Sequence, residues 1–157
     1  HARLGEDMAL HLSTEHQDDE PCQLSQALRA YWRIGDVAEA ALSGLDGVQG
    51  YDQLNREVCQ QKGELRVAGG CQRVFRHDGE MQLNDHAWRR ALSIDTGTSG
   101  NTVVWHPGKR PLLGVSWNEV MGFVCVESTS GAAHNQTLAP GEQAHLSLQA
   151  RARLVSA

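Results

Sequence analysis

Glu127 closes one of the two most β-prone runs in the chain, Phe123-Val124-Cys125-Val126, and His106 closes the other, Thr102-Val103-Val104-Trp105. A carboxylate takes up a proton and an imidazole delivers one near neutral pH, so two neighbouring strand ends carrying these groups have the parts for acid–base chemistry. Between them, Gly108-Lys109-Arg110-Pro111 is turn chemistry and Trp117 to Met121 suits one helical turn, so the unit reads strand, excursion, strand. The competing reading is structural: Glu127 as a solvated strand end, His106 as a surface residue held before Pro107. Arg29 is a third polar group. Leu28, Ala30, Trp32 and Ile34 alternate with Arg29, Tyr31 and Arg33, which predicts a strand with Arg29 on the face away from the apolar one. If that face looks into a cleft, the guanidinium becomes a donor to an anion or a hydroxyl.

The elements that must position these groups are strands almost throughout. Met8, Leu10 and Leu12 alternate with polar residues, and Val37 to Leu42 reads as a further strand. Asn55 to Gly63 is a polar connection, Glu64 to Gly70 and Arg73 to Phe75 are short strands, and His77-Asp78-Gly79-Glu80 has the composition of a hairpin turn. Met81 to Leu83 and Ala91 to Asp95 follow as strands, Thr96 to Asn101 as a turn, Gly131 to His134 as a loop and Leu138 to Glu142 as a turn. The chain then runs into one long alternating strand through Ala144, Leu146, Leu148, Ala150, Ala152 and Leu154. Strands at this spacing, with no helical period of useful length, indicate an all-β sandwich or barrel. The chain has 157 residues, and at about that length a single domain buries roughly 68–70% of its unfolded surface. One domain over residues 1–157 is therefore expected.

Composition excludes several classes of function. A net charge of −5, with only Arg151 and Arg153 as a basic pair, argues against a nucleic-acid surface. The glycine-rich stretch Ser43 to Tyr51 lacks phosphate-loop spacing. The acidic run Glu15 to Pro21 reads as a solvated turn rather than a metal cluster. Four cysteines, Cys22, Cys59, Cys71 and Cys125, show no C-x-x-C spacing, which disfavours a zinc or redox site and suits free thiols in a reducing compartment. His1 to Asp7 has no apolar core of a signal peptide, and no apolar run approaches the roughly 18 residues of a membrane span. A soluble, cytoplasmic protein without a membrane partner is expected.

Five blocks carry a resemblance. Ala27-Leu28-Arg29-Ala30-Tyr31-Trp32-Arg33-Ile34-Gly35-Asp36-Val37, Gly44-Leu45-Asp46-Gly47, Val103-Val104-Trp105-His106-Pro107, Phe123-Val124-Cys125-Val126-Glu127 and Leu138-Ala139-Pro140-Gly141-Glu142 resemble, in order and spacing, the hexose-6-phosphate mutarotases. These form the glucose-6-phosphate 1-epimerase branch of the aldose 1-epimerase family. The resemblance runs over nearly the whole chain and covers about the C-terminal half of a usual family member. It implies a galactose-mutarotase-like β-sandwich (supersandwich), truncated relative to the family. It also implies interconversion of the anomers of a phosphorylated aldose by acid–base ring opening, with no metal or organic cofactor. The family's base is the glutamate matched by Glu127. A catalytic histidine in its A-L-H-T-Y-F block is matched by Arg29, which stays protonated and cannot exchange a proton as histidine does. The acid of its D-R-[IV]-Y block is matched by Gln72, before Arg73, and the asparagine of its W-N-P block by His106. A further histidine and the phosphate-recognising arginines fall in the half not represented.

Three readings stay open on the sequence. The chain is an isomerase with Glu127 as base and His106 as replacement acid; or a catalytically degraded module that binds a sugar or sugar phosphate through Arg29, Gln72 and Arg73; or a module whose open sheet edges pair with another copy, giving a homo-oligomer.

Overall fold

The computed structural model describes residues 1–67, 69–131 and 136–155. Two six-stranded antiparallel sheets pack face to face. The first runs, in spatial order, β1 (Ala2–Leu4), β2 (Asp7–Glu15), β14 (Gln143–Leu154), β10 (Arg90–Asp95), β9 (Glu80–Asp85) and β5 (Ala40–Ser43). The second runs β4 (Gln26–Arg33), β12 (Phe123–Ser130), β11 (Asn101–His106), β8 (Cys71–Phe75), β6 (Gln49–Asp52) and β7 (Glu57–Gln60). A small pair, β3 (Cys22–Leu24) with β13 (Gln136–Leu138), lies apart from them. The one short helix among the described residues is α1 (Trp117–Met121).

The period-two pattern explains the packing. Trp32 and Ile34 from the β4 segment, Val124 and Val126 from β12, Val104 from β11 and Phe75 from β8 face inward from the second sheet. They meet Leu148, Ile94, Leu92, Met81, Leu83 and Leu42 from the first. Removing this apolar area from water is the main force holding the layers together, at about 25 cal/mol per Å². Because successive residues of a strand point to opposite faces, the same alternation that buries Ala30 and Trp32 turns Arg29, Tyr31 and Arg33 outward.

Several local expectations are corrected. Val37 to Leu42 is not one strand: Asp36 caps a single 3-10 turn, Val37–Glu39, by accepting from the Ala38 N–H, and the strand begins only at Ala40. Glu64 to Gly70 forms no strand among its described residues and touches the first sheet through the single bridge Leu42–Leu65; Ala68 lies outside the described residues. The polar stretch Asn55 to Gly63 contains β7. His77 to Glu80 is no hairpin turn, because β8 and β9 belong to different sheets and the chain crosses the sandwich there. Turn composition does not reveal whether the next strand pairs with the last one. Of the loop Gly131 to His134, residues 132–134 lie outside the described residues.

Candidate functional site

The second sheet presents its outward face as a surface of mixed chemistry. Register places Glu127 of β12 between Arg29 of β4 and Val103 of β11. The next row on the same face is Tyr31, Cys125, Trp105 and Gln72. Glu127 is not at the end of its strand, since β12 continues to Ser130 and the polar run Glu127-Ser128-Thr129 stays buried. Its carboxylate is held in the body of the sheet, which orients it more rigidly than a fraying strand end would.

Arg29 Nη2 approaches Glu127 Oε1 at 2.9 Å, with the arginine side chain 53% exposed and the glutamate side chain 6% exposed. The pair joins a carboxylate withdrawn into the sheet to a guanidinium reaching solvent. Arg29 Nη1 also donates to the Tyr31 hydroxyl at 3.4 Å. That bond raises the guanidinium's pKa, burial opposes it, and the charge of Glu127 raises it further, so Arg29 is a permanent cation. The Cys125 thiol donates to Glu127 Oε1 at 3.8 Å. Burial first, and then the charge of Glu127, push this thiol up to about 12, so it serves Glu127 as a proton-bearing neighbour and not as a nucleophile.

Beside the pair stands an aromatic group that sequence reasoning did not assemble. Tyr31 meets Trp105 edge to face at 6.3 Å and Phe123 at 5.5 Å, while Trp105 and Phe123 stack at 6.1 Å. Its signal was parity: positions 103, 105, 123 and 125 share a face with 29 and 31 once β11 and β12 pair. A cavity of about 580 Å³ continues from this group, between Tyr31, Arg33, Trp88, Asn118, Glu119 and Phe123.

The remaining candidates separate. His106 stands three residues beyond Val103, the residue opposite Glu127, so alternation turns it from the face that carries the carboxylate. It is 1% exposed. Nδ1 accepts from the Gly108 N–H at 3.0 Å, which leaves Nε2 to donate to the Val120 carbonyl at 3.0 Å. Both nitrogens are therefore occupied, and the ring joins β11 to α1. A capping box between Ser116 and Glu119 sets that helix in turn. The structure thus gives His106 a positioning role in the fold and does not bring it to Glu127. Gln72 shares the outward face, two strands from Glu127. Arg73, one residue on, points the other way: its Nε meets Asp52 Oδ2 at 2.9 Å and its Nη1 donates to Gln61 Oε1 at 3.2 Å. Gln72 and Arg73 accordingly cannot hold one ligand together. Among the described residues no group of three or more His, Cys, Asp or Glu side chains is placed to hold a metal ion, and no helix is long and apolar enough to cross a membrane.

Burial lowers the His106 pKa, only partly offset by the bond to Val120. A histidine depressed in the folded state leaves the unfolded chain binding more protons as pH falls through its ordinary value of about 6.5. Its contribution is therefore fully present above that pH and is lost below it. His77, also lowered by burial, acts with the same sign. Urea midpoints measured from pH about 7.5 down to about 5.5 should fall in wild type and fall less steeply in His106→Gln; an equal slope would show that His106 does not carry the effect.

The two-sheet antiparallel sandwich is the fold of solved galactose-mutarotase-like proteins. The chain belongs to the aldose 1-epimerase family, whose sequence profile matches residues 1–151. It is 28% identical, over 96% of its length, to a candidate glucose-6-phosphate 1-epimerase of Escherichia coli (strain K12), of which it covers 51%. Its fold is similar to that of a candidate mutarotase from Salmonella typhimurium, with a TM-score of 0.85 at 21% identity, covering 98% of this chain and 52% of that one. A galactose mutarotase related enzyme from Lactobacillus acidophilus superposes with a TM-score of 0.74 at 9% identity, covering 99% and 62% of the two chains. The chain thus spans about half the length of the curated relative it matches.

Proposed function

We propose that the outward face of the second sheet binds an aldose and that Glu127 takes the proton of its anomeric hydroxyl. The O–H electrons become the C=O of the open-chain aldehyde, the bond from the anomeric carbon to the ring oxygen breaks, and the aldehyde recloses from either face to give the other anomer. Arg29 supports this step as an electrostatic donor to the ring oxygen as negative charge develops there. A guanidinium does not surrender its proton, so water delivers the proton that the ring oxygen gains. The observation that carries the proposal is the Glu127–Arg29 pair at 2.9 Å on an open face beside Tyr31 and Trp105. The substrate class is a hexose or its 6-phosphate, the latter supported by the likeness to the Escherichia coli protein.

Exchange between α and β anomers, followed by NMR on glucose and on glucose 6-phosphate, tests it. Exchange faster than the spontaneous rate is expected. If the rate equals the spontaneous one while the sugar still binds, the second reading holds, in which the face binds a sugar without turning it over. That reading is favoured by one fact: among the described residues no histidine shares the face of Glu127.

Self-association belongs with either reading. β4 and β7 are the outer strands of the second sheet and β1 is the uncovered outer strand of the first, where the other edge, β5, is bridged by Leu65; the edge residues Leu4 and Val58 are 77% and 79% exposed. Edges of this kind pair readily with another copy. Sedimentation should show a dimer; a monomer at high protein concentration removes this part of the proposal.

A further inference from the structure

Guanidinium groups gather at a second place, on the outward face of the other sheet. Gln82 and Asn84 alternate with the buried Met81, Leu83 and Asp85 along β9, and Arg153 lies across from them near the end of β14. Together with His86, Arg89 and Arg90 they line a cavity of about 470 Å³. This is unusual in a chain whose net charge is −5. The one carboxylate in the lining, Asp85, is fully buried and already accepts from Arg90 Nε at 3.0 Å and from the N–H groups of Gly35 and Trp88. Glu64, outside the lining, accepts from Asn84 Nδ2 at 3.1 Å and pairs with Arg66 at 3.8 Å. Arg153 donates to the neutral amide oxygen of Gln82 at 2.6 Å, and Arg89 joins no ion pair among the described residues. Among the described residues, Arg89 and Arg153 have no ion-pair partner.

The turn between β9 and β10 fixes where Arg89 stands. Its φ is 49°, in the left-handed region that non-glycine residues rarely occupy. Two hydrogen bonds hold it there: its N–H donates to the His86 carbonyl at 3.2 Å, and the Val155 N–H donates to its carbonyl at 2.8 Å. Arg89 is thus held in place, exposed, in the turn between β9 and β10 at the rim of the cavity.

We propose that this cavity is an anion site for a phosphate group, free or carried on a small molecule, with Arg89 and Arg153 as its charged ligands and His86 and Asn84 as further hydrogen-bond partners. Guanidinium is suited to this because its planar fork of donors matches an oxyanion. The site is separate from Glu127 and does not depend on the sugar reading.

Titration with inorganic phosphate and with glucose 6-phosphate, followed by calorimetry and by the amide signals of residues 84–90 and 153–155, tests it, with glucose as the uncharged control. Saturable binding of both phosphates, weakening as salt rises, and no shift of these signals by glucose are expected. Binding of inorganic phosphate alone would assign the free ion, and binding of the ester alone would assign the small molecule; each upholds the anion site. The Arg89→Gln, Arg153→Gln double variant should weaken binding by at least about tenfold, a change of about 1.4 kcal/mol, while the corresponding lysine variant retains most of it. Arg89→Gln alone breaks no side-chain bond and keeps the test open if the double variant does not fold. Absence of saturable phosphate binding in wild type, or binding undiminished in folded arginine variants, overturns the proposal.

Discussion

Glu127→Gln is expected to reduce anomer interconversion by about 10²- to 10⁴-fold, the usual contribution of a positioned general base. The substitution keeps the side chain's shape and its ability to accept a hydrogen bond from Arg29, but the amide cannot take the anomeric proton. It should do little to stability. Arg29 is 53% exposed and, once its partner is neutral, is hydrated instead; ion pairs with an exposed member typically contribute about 0–1 kcal/mol. The reverse change, Arg29→Ala, differs because it strands a carboxylate whose side chain is only 6% exposed. A loss of about 1–3 kcal/mol in urea unfolding is the expected scale there. The comparison that decides is catalytic: wild-type rates in a folded Glu127→Gln protein would remove Glu127 from the role of base.

Asp85→Ala should produce the largest loss of stability in the molecule, about 3–5 kcal/mol, the range for removing one partner of a buried charged network. Asp85 is fully buried at the end of β9 in the first sheet. Its carboxylate accepts from Gly35 N–H, at the exit of β4 in the second sheet, at 3.2 Å, from Trp88 N–H at 3.3 Å and from Arg90 Nε at 3.0 Å. Arg90 continues the tie by donating to the Arg33 carbonyl and lying over the Trp88 ring at 4.7 Å. Gly35 is required at this junction: a Cβ there would stand 2.6 Å from the Ala87 Cβ and 2.8 Å from Trp88 Cδ1. One carboxylate thus fastens two sheets and the turn between β9 and β10. The urea midpoint of Asp85→Ala should drop accordingly, and of Asp85→Asn by less, since an amide oxygen remains to accept. A loss below about 1 kcal/mol for the alanine variant would mean that these bonds are replaced by water at no cost.

How much of this could be read from the chain varies by element. The strands with clean alternation, β2, β4 and β14, stand where their patterns put them, and so do β11 and α1, while β12 starts where expected and runs on past Glu127 to Ser130. Each is specified by local information: residue type, period and a capping signal. The expectations that failed turned either on a local cap hidden under an apolar run or on contacts remote along the chain. Asp36 turns what reads as a strand into a 3-10 turn, and the segment after Gly63 gains only one bridge to Leu42. His77 to Glu80 has hairpin composition yet joins two sheets, because Thr96, Thr102 and the His77 carbonyl tie the crossing together by hydrogen bonds.

For the candidate site, the sequence by itself determined the residue types: a carboxylate at Glu127, an arginine at Arg29 in place of a proton-exchanging group, and their placement on alternating strands. Gln72 and Arg73, read from the sequence as holding one sugar together, face opposite ways once β8 is seen to begin at Cys71. Only the tertiary structure decided which groups meet. Strand register sets Glu127 beside Arg29 and gathers Tyr31, Trp105 and Phe123 next to them. His106, close to the site along the chain, is spent on Gly108 and Val120. The physical reason is that side-chain direction follows from a period of two within a strand, whereas the partner across a sheet depends on register, and register is set by how the whole sandwich buries its apolar faces.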